Sequence, residues 1–256
     1  MIKFEPTRNA GSDEVKQMSQ IVLAELPPDW ETAVQNMITE DDEPVDNRFT
    51  EKQQRLLVEP FYDSWQPPPF EDAPDEPRTF IAAANIGIFT SPYQPAIVPD
   101  MFLSLDVETG GDLKEKENRS YCLWIHEKEP DVVLEIVSDK RGGEFDEKMR
   151  RYGRMGVRYY VTFDPFDVYD APHLRVYERA IGWRYRLRDD FALPEVGLSL
   201  KMWRGEFEKE ETEWLRWCDA NGNLILTGAE RAENAEQRAE RLAAKLREMG
   251  VDPSQI

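Results

Sequence analysis

The stretch PDVVLEIVSDKRGGEFDEKMRRYGRMGVRYYVTFDP, residues 130–165, decides the fold. Its opening, DVVLEIVS (Asp131–Ser138), is the strongest strand signal in the chain, an aliphatic and β-branched run interrupted by one acid. Gly142 and Gly143 mark a turn. In FDEKMRRYGRM the apolar Phe145, Met149 and Tyr152 recur at steps of four and three, the period of an amphipathic helix. VRYYVTF (Val157–Phe163) is again apolar and aromatic, so another strand follows. Strand, helix and strand in this order, after a leading helix, predict an α/β sandwich rather than a bundle.

Working outward, FIAAANIGIF (Phe80–Phe89) and AIVPDMFLSL (Ala96–Leu105) flank TSPYQP and read as a hairpin, with YCLWI (Tyr121–Ile125) as a further strand. Upstream, NRFTEKQQRLLVEPFYDSW places Phe49, Leu56, Leu57, Phe61 and Trp65 at helical spacing, although Pro60 is expected to kink or end the helix. The segment Pro67 to Pro77 is a loop, and the acidic residues before Asn47 read as a helical arm and linker. Downstream, LRVYER and WRYRLR form an outer hairpin around Ile181-Gly182. Past Leu200 the composition turns charged, with a turn at Asn221-Gly222. GAERAENAEQRAERLAAKLREMG then reads as one helix closed by Gly250. Ala229, Ala232, Ala235, Ala239, Leu242, Leu246 and Met249 give it the narrow seam of a coiled coil. The division expected is an acidic arm over 1–43, a domain over 44–200, and a charged linker with the C-terminal helix over 201–256.

Composition removes several function classes. The chain has 256 residues and a net charge of −19, with 40 % hydrophobic residues, which suffices for one sizeable core. No apolar run is long enough to span a membrane, and MIKFEPTRNAGSDEV has no apolar leader core, so a cytoplasmic protein is expected. Two Cys and two His leave no room for a multi-His metal site or a disulfide framework. Nothing resembles a P-loop, G-x-G-x-x-G or G-x-S-x-G. Charge is uneven: residues 1–80 carry 18 acids and 7 bases, whereas residues 138–188 carry 8 acids and 12 bases. The total argues against indiscriminate nucleic-acid binding, and the basic segment allows a local phosphate-facing surface or a solvated helix face.

Three residues could carry chemistry. Period-two alternation sets Val133, Glu135 and Val137 on one face of a strand that is apolar on both. A carboxylate there demands a compensating cation, metal or hydrogen bonds, or an edge position. Asp100 interrupts a second apolar strand directly after Pro99, as a turn or edge residue or as the partner of Glu135 in a two-carboxylate pocket of the kind Mg2+ uses. Lys148 lies at the margin of the buried stripe of its helix, where it either snorkels or serves a site.

VPD at 98–100, PDVVLEIVS at 130–138 and EKMRRYGRMGVRYYVTFDP at 147–165 together resemble the Uma family of restriction-endonuclease-like proteins, within the PD-(D/E)xK nuclease-like superfamily. The likeness runs from about Pro44 to Leu200, and the C-terminal run resembles the tail of many members. It implies a restriction-endonuclease-like core with a mixed sheet flanked by helices, acting on DNA with Mg2+ or Mn2+. Asp100 matches the first acid of the motif and Glu135 the D/E. The motif's Lys would fall at Val137, and in this family that role looks to have moved to the following helix, which points to Lys148. Asp131 opens its strand, roughly 13 Å along it from Glu135 and too far to share a metal. Some relatives use an acid from the first helix, for which Glu51 and Glu59 are both candidates.

On this reading Asp100, Glu135 and a backbone carbonyl near Ile136 hold the metal, and Lys148 assists the attacking water or the transition state. Arg150, Arg151 and Arg158 are phosphate contacts, and Tyr152 packs against the sheet. A homodimer helped by the C-terminal helix is expected. The competing expectation is a nuclease-fold module without catalysis, binding DNA or protein and assembled through that helix.

Overall fold

The computed structural model describes residues 29–38, 47–138, 144–249 and 252. After a short helix α1 (Trp30–Gln35), α2 (Arg48–Ser64) is capped by Asn47, whose side chain accepts the Thr50 N–H at 2.9 Å. The helix runs through Pro60. That residue is buried along with Leu56, Leu57 and Phe61, and packing on both sides holds the helix across the one missing N–H.

Six strands form the central sheet, in the order β1 (Phe80–Ala83), β3 (Met101–Leu105), β5 (Val132–Ile136), β6 (Tyr159–Phe163), β7 (Leu174–Arg179), β8 (Tyr185–Leu187). Only β5 and β6 are parallel, and they are joined by the crossover such a pair requires. That crossover is α4, a π-turn over Glu144–Lys148 continuing as α-helix over Met149–Met155. Gly156, at φ 110°, ends it in the left-handed conformation. Gly153 lets the helix lie against the β7–β8 hairpin, since a Cβ there would stand 2.1 Å from the Trp183 carbonyl oxygen. Gly142, Gly143 and the side chain of Phe145 lie outside the described residues, as does most of the N-terminal arm.

The antiparallel pairing of β1 with β3 is the one the sequence predicts, but β1 stops at Ala83. Asn85 turns the chain at φ 55°; beyond it Ile88 still pairs antiparallel with Ile97, as the expected hairpin requires, and Ile88–Phe89 (β2) also pairs in parallel with Tyr121–Cys122 (β4). The segment expected to continue β4 folds as a one-turn helix α3 (Leu123–His126).

The larger departure lies past Leu200. The expected charged linker is a hairpin of two ten-residue strands, β10 (Leu198–Phe207) and β11 (Glu210–Asp219), with β9 (Ala192–Leu193) on the free side of β10. The boundary read at Leu200 falls inside β10. The turn residues are Glu208 and Lys209, both at positive φ, so the hairpin carries none of the Asn-Gly signal that marks such turns.

The hairpin docks on α2. Gln53 exchanges two hydrogen bonds of 2.9 Å with the backbone of Leu215, as a strand rung would, and the Trp217 indole donates to the Leu57 carbonyl at 2.9 Å. One face of the central sheet (Met101, Leu103, Leu134, Ile136, Val161, Phe163) is thus covered by α2 and the hairpin. The other face, with Phe102, Val133 and Tyr160, is covered by Tyr152 and Met155 of α4 and by Tyr121.

Helix α5 (Gly228–Glu248) begins with a reciprocal cap between Thr227 and Glu230. Glu230 also takes both arms of buried Arg216 at 2.6 and 2.7 Å. Past that turn the helix lies in solvent, and none of its residues is buried. Among the described residues no helix is long and apolar enough to cross a membrane. Cys122 and Cys218 are buried and unbridged.

Candidate active site

Register sets the site. Met101 is the partner of Leu134 in the antiparallel ladder, which brings Asp100, just before β3, level with Glu135 near the end of β5. Glu135 is in turn the partner of Thr162, and Thr162 of Arg175. Side chains paired in this way share a face of the sheet, so Glu135, Thr162 and Arg175 form a polar row beneath α4.

Glu135 is fully buried. Its Oε2 accepts from Lys148 Nζ at 2.7 Å and its Oε1 from the Tyr152 hydroxyl at 2.7 Å. Lys148 and Tyr152 are one turn apart on α4, so one helix face supplies both donors. Burial pushes the Glu135 carboxyl up to about 8, opposed by the Lys148 charge, reinforced by that of Asp100, and further opposed by the hydrogen bonds from Lys148 and Tyr152. Burial also drives the Tyr152 hydroxyl upward, so it stays protonated and can only donate to an ionised Glu135.

Asp100 is half-buried. Its Oδ2 accepts the Ile136 backbone N–H at 2.7 Å and its Oδ1 the Gln54 side-chain amide at 2.8 Å. Asp100, Glu135 and Lys148 therefore occupy one neighbourhood: Asp100 is bonded to the residue next to Glu135, and Lys148 to Glu135 itself. Lys148 is partly exposed, so this side of the group meets solvent.

The other expected residues scatter. Arg150 pairs with Asp146 at 2.6 Å on the outer face of α4, and Arg151 donates to the Pro95 and Ala96 carbonyls at 3.2 and 3.3 Å. Arg158 precedes β6, four residues from Thr162 and hence roughly 13 Å along the strand from the polar row. There it is engaged by Glu178 and Glu195 and does not join the site. Glu51 binds Arg55 at 2.6 Å, and Glu59 is exposed, so neither first-helix acid reaches Asp100. Asp131 holds the far end of β5, accepting the Leu105 N–H at 2.7 Å and pairing with Lys128.

What the first helix does send to the site is Gln54, which the sequence reading passed over, as it did Thr162 and Arg175. A glutamine on an amphipathic helix carries no signal of its own. Arg175 becomes visible only once the register of β6 and β7 is known.

The donor set suits a hard divalent cation. Asp100 and Glu135, on adjacent strands and both held by hydrogen bonds, are the oxygen groups that could hold such an ion, and a bound cation would favour the ionised form of Glu135 against the protonated form that burial favours. Among the described residues no group of three or more His, Cys, Asp or Glu comes together here or elsewhere. No curated protein and no solved structure matches the chain. The family model described as "Uma2: Putative restriction endonuclease" matches residues 24–202, which take in the whole central sheet, α2 and α4. With a mixed sheet, a parallel pair bridged by a helix, and acids at the ends of β3 and β5, the chain belongs to this restriction-endonuclease-like family.

Proposed function

We propose that the protein is a metal-dependent endonuclease that hydrolyses DNA phosphodiester bonds, with Asp100, Glu135 and Lys148 at its centre. The observation that carries this reading is the meeting of two carboxylates and an ammonium at the ends of β3 and β5, within a family described as restriction endonucleases. Asp100 and Glu135 would hold Mg2+ or Mn2+, which when bound supplies Lewis acidity at the scissile phosphate.

Tyr152 orients Glu135, and the Ile136 N–H orients Asp100. Lys148 holds a proton at Nζ, where it hydrogen-bonds the attacking water or neutralises charge on the phosphate as the P–O bond breaks. Arg175, in the same row as Glu135, is the cation best placed to meet a neighbouring phosphate, with Arg150 and Arg151 on the outer side of α4. The proposed assembly is a homodimer using α5, which would set two sites against the two strands of a duplex.

The test is nicking of plasmid DNA by purified protein. It should require Mg2+ or Mn2+ and stop with chelator. Asp100→Asn, Glu135→Gln and Lys148→Ala should each lower turnover by about 10²–10³-fold. Chelator-resistant cleavage would remove the mechanism.

One observation favours a second reading, a nuclease-fold module that binds DNA or protein without cleaving: Glu135 is already compensated by Lys148 and Tyr152. In that case Mn2+ titration gives the same heat for wild type and Glu135→Gln.

A further inference from the structure

Gln54 lies in the middle of α2, on a helix whose other buried residues pack on the sheet or the hairpin, and its side chain is almost wholly buried. A glutamine placed there for packing alone would leave its amide in need of partners. Both ends have one: Nε2 donates to Asp100 Oδ1 at 2.8 Å, and Oε1 accepts from Asn85 Nδ2 at 3.2 Å. The amide has one productive orientation, because turning it over would set Oε1 against the Asp100 carboxylate and its NH2 against that of Asn85. Asn85 sits at the end of β1 at φ 55°, the conformation that takes the chain away from β3 and leaves its side chain at the mouth of the site.

Asp100 is therefore gripped at both oxygens, by Gln54 on one and the Ile136 N–H on the other. A half-buried aspartate with one such contact keeps rotational freedom about its side chain; with two on opposite oxygens it has one rotamer. We propose that Gln54 is a positioning residue that aims the Asp100 carboxylate toward Glu135, with Asn85 holding the amide in its working orientation. This rests on the reading of Asp100 as a metal-holding carboxylate, and it adds the part of the site that α2 contributes.

The experiment compares wild type, Gln54→Leu and Asn85→Asp. Leucine keeps the volume and removes the amide. Aspartate at 85 would accept from Gln54 Nε2, turning the amide so that Oε1 confronts Asp100, and it sits at an exposed position where folding is not at stake. Two quantities are read: exchange of the Ile136 amide proton in metal-free protein by NMR, and the Mn2+ dissociation constant by calorimetry. Both variants should exchange Ile136 faster than wild type and bind Mn2+ about tenfold more weakly, the usual scale for losing a group that orients a ligand. Their metal-free melting temperatures should stay near that of wild type.

Unchanged Ile136 exchange in Gln54→Leu and Asn85→Asp would overturn the assignment. Wild type that takes up no Mn2+ would end the metal-site reading instead, while Ile136 exchange would still decide the role of Gln54.

Discussion

Glu135 shows how a single side chain registers the chemistry around it. With its carboxyl raised from 4.5 to about 8, the folded protein keeps a proton that the unfolded chain has already released across that interval. Stability from this group is therefore full below about pH 4.5 and falls as pH rises toward 8. Urea unfolding of the metal-free protein at pH 5, 6.5 and 8 should show this decline, on the order of a few kcal/mol, and Glu135→Gln should flatten it. Parallel curves for the two proteins would contradict the burial argument. Added Mn2+ should restore wild-type stability at pH 8 by about 2.7 kcal/mol at one hundred times its dissociation constant, and leave Glu135→Gln unmoved. Glu135 was legible in the sequence because an acid in an apolar strand breaks a pattern. Gln54 was not, since a polar residue on an amphipathic helix fits the pattern whichever way it points. Tyr152 packs against the sheet as its place on the helix predicts, but its hydroxyl gains its second task only from the strand beside it.

Elements were legible where hydrophobic period and length agree. The leading helix, β5, α4, β6 and the β7–β8 hairpin fall where the sequence places them, and so does the C-terminal helix, although Gly250, expected to close it, lies outside the described residues. The β10–β11 hairpin escaped because Glu and Lys line its solvent face and its turn, while its buried residues (Leu198, Leu200 and the run Trp214–Cys218, with Arg216 among them) show no clean alternation. Trp214 stacks on Phe49 of α2 with ring centroids 5.0 Å apart, and Trp217 lies 5.3 Å from Phe61. The hairpin is thus a wall of the core. Trp217→Ala should cost about 3–5 kcal/mol in chemical unfolding, and a chain ending at residue 200 should lack a cooperative thermal transition. A sharp melt from that shortened chain would show that the sheet and α2 suffice without it.

Across the whole molecule, acidity and the C-terminal helix set how the protein meets others. With a net charge of −19, the proposed binding to DNA would have to use a local basic surface, and affinity should fall with salt in proportion to the phosphates that surface neutralises. Association through α5 should be modest, because its seam is mainly alanine, with Leu242 and Met249 exposed at the far end. Light scattering of the full chain at tens of micromolar should report a dimer. A chain ending at residue 234 keeps the Arg216–Glu230 pair and so tests the seam without disturbing the body; it should shift toward monomer. Full-length monomer at that concentration would exclude the dimer.

The way α5 leaves the body has a further result. Fastened by one capped turn and an arginine fork, then bare for roughly 25 Å, it has the form of a spacer of fixed length. A second protomer or another protein attached near Glu248 would be held at a set distance and bearing from the β10–β11 hairpin. Lengthening the helix by two residues would swing that attachment point by about 200° and advance it by only about 3 Å, so the tail encodes direction far more sharply than distance.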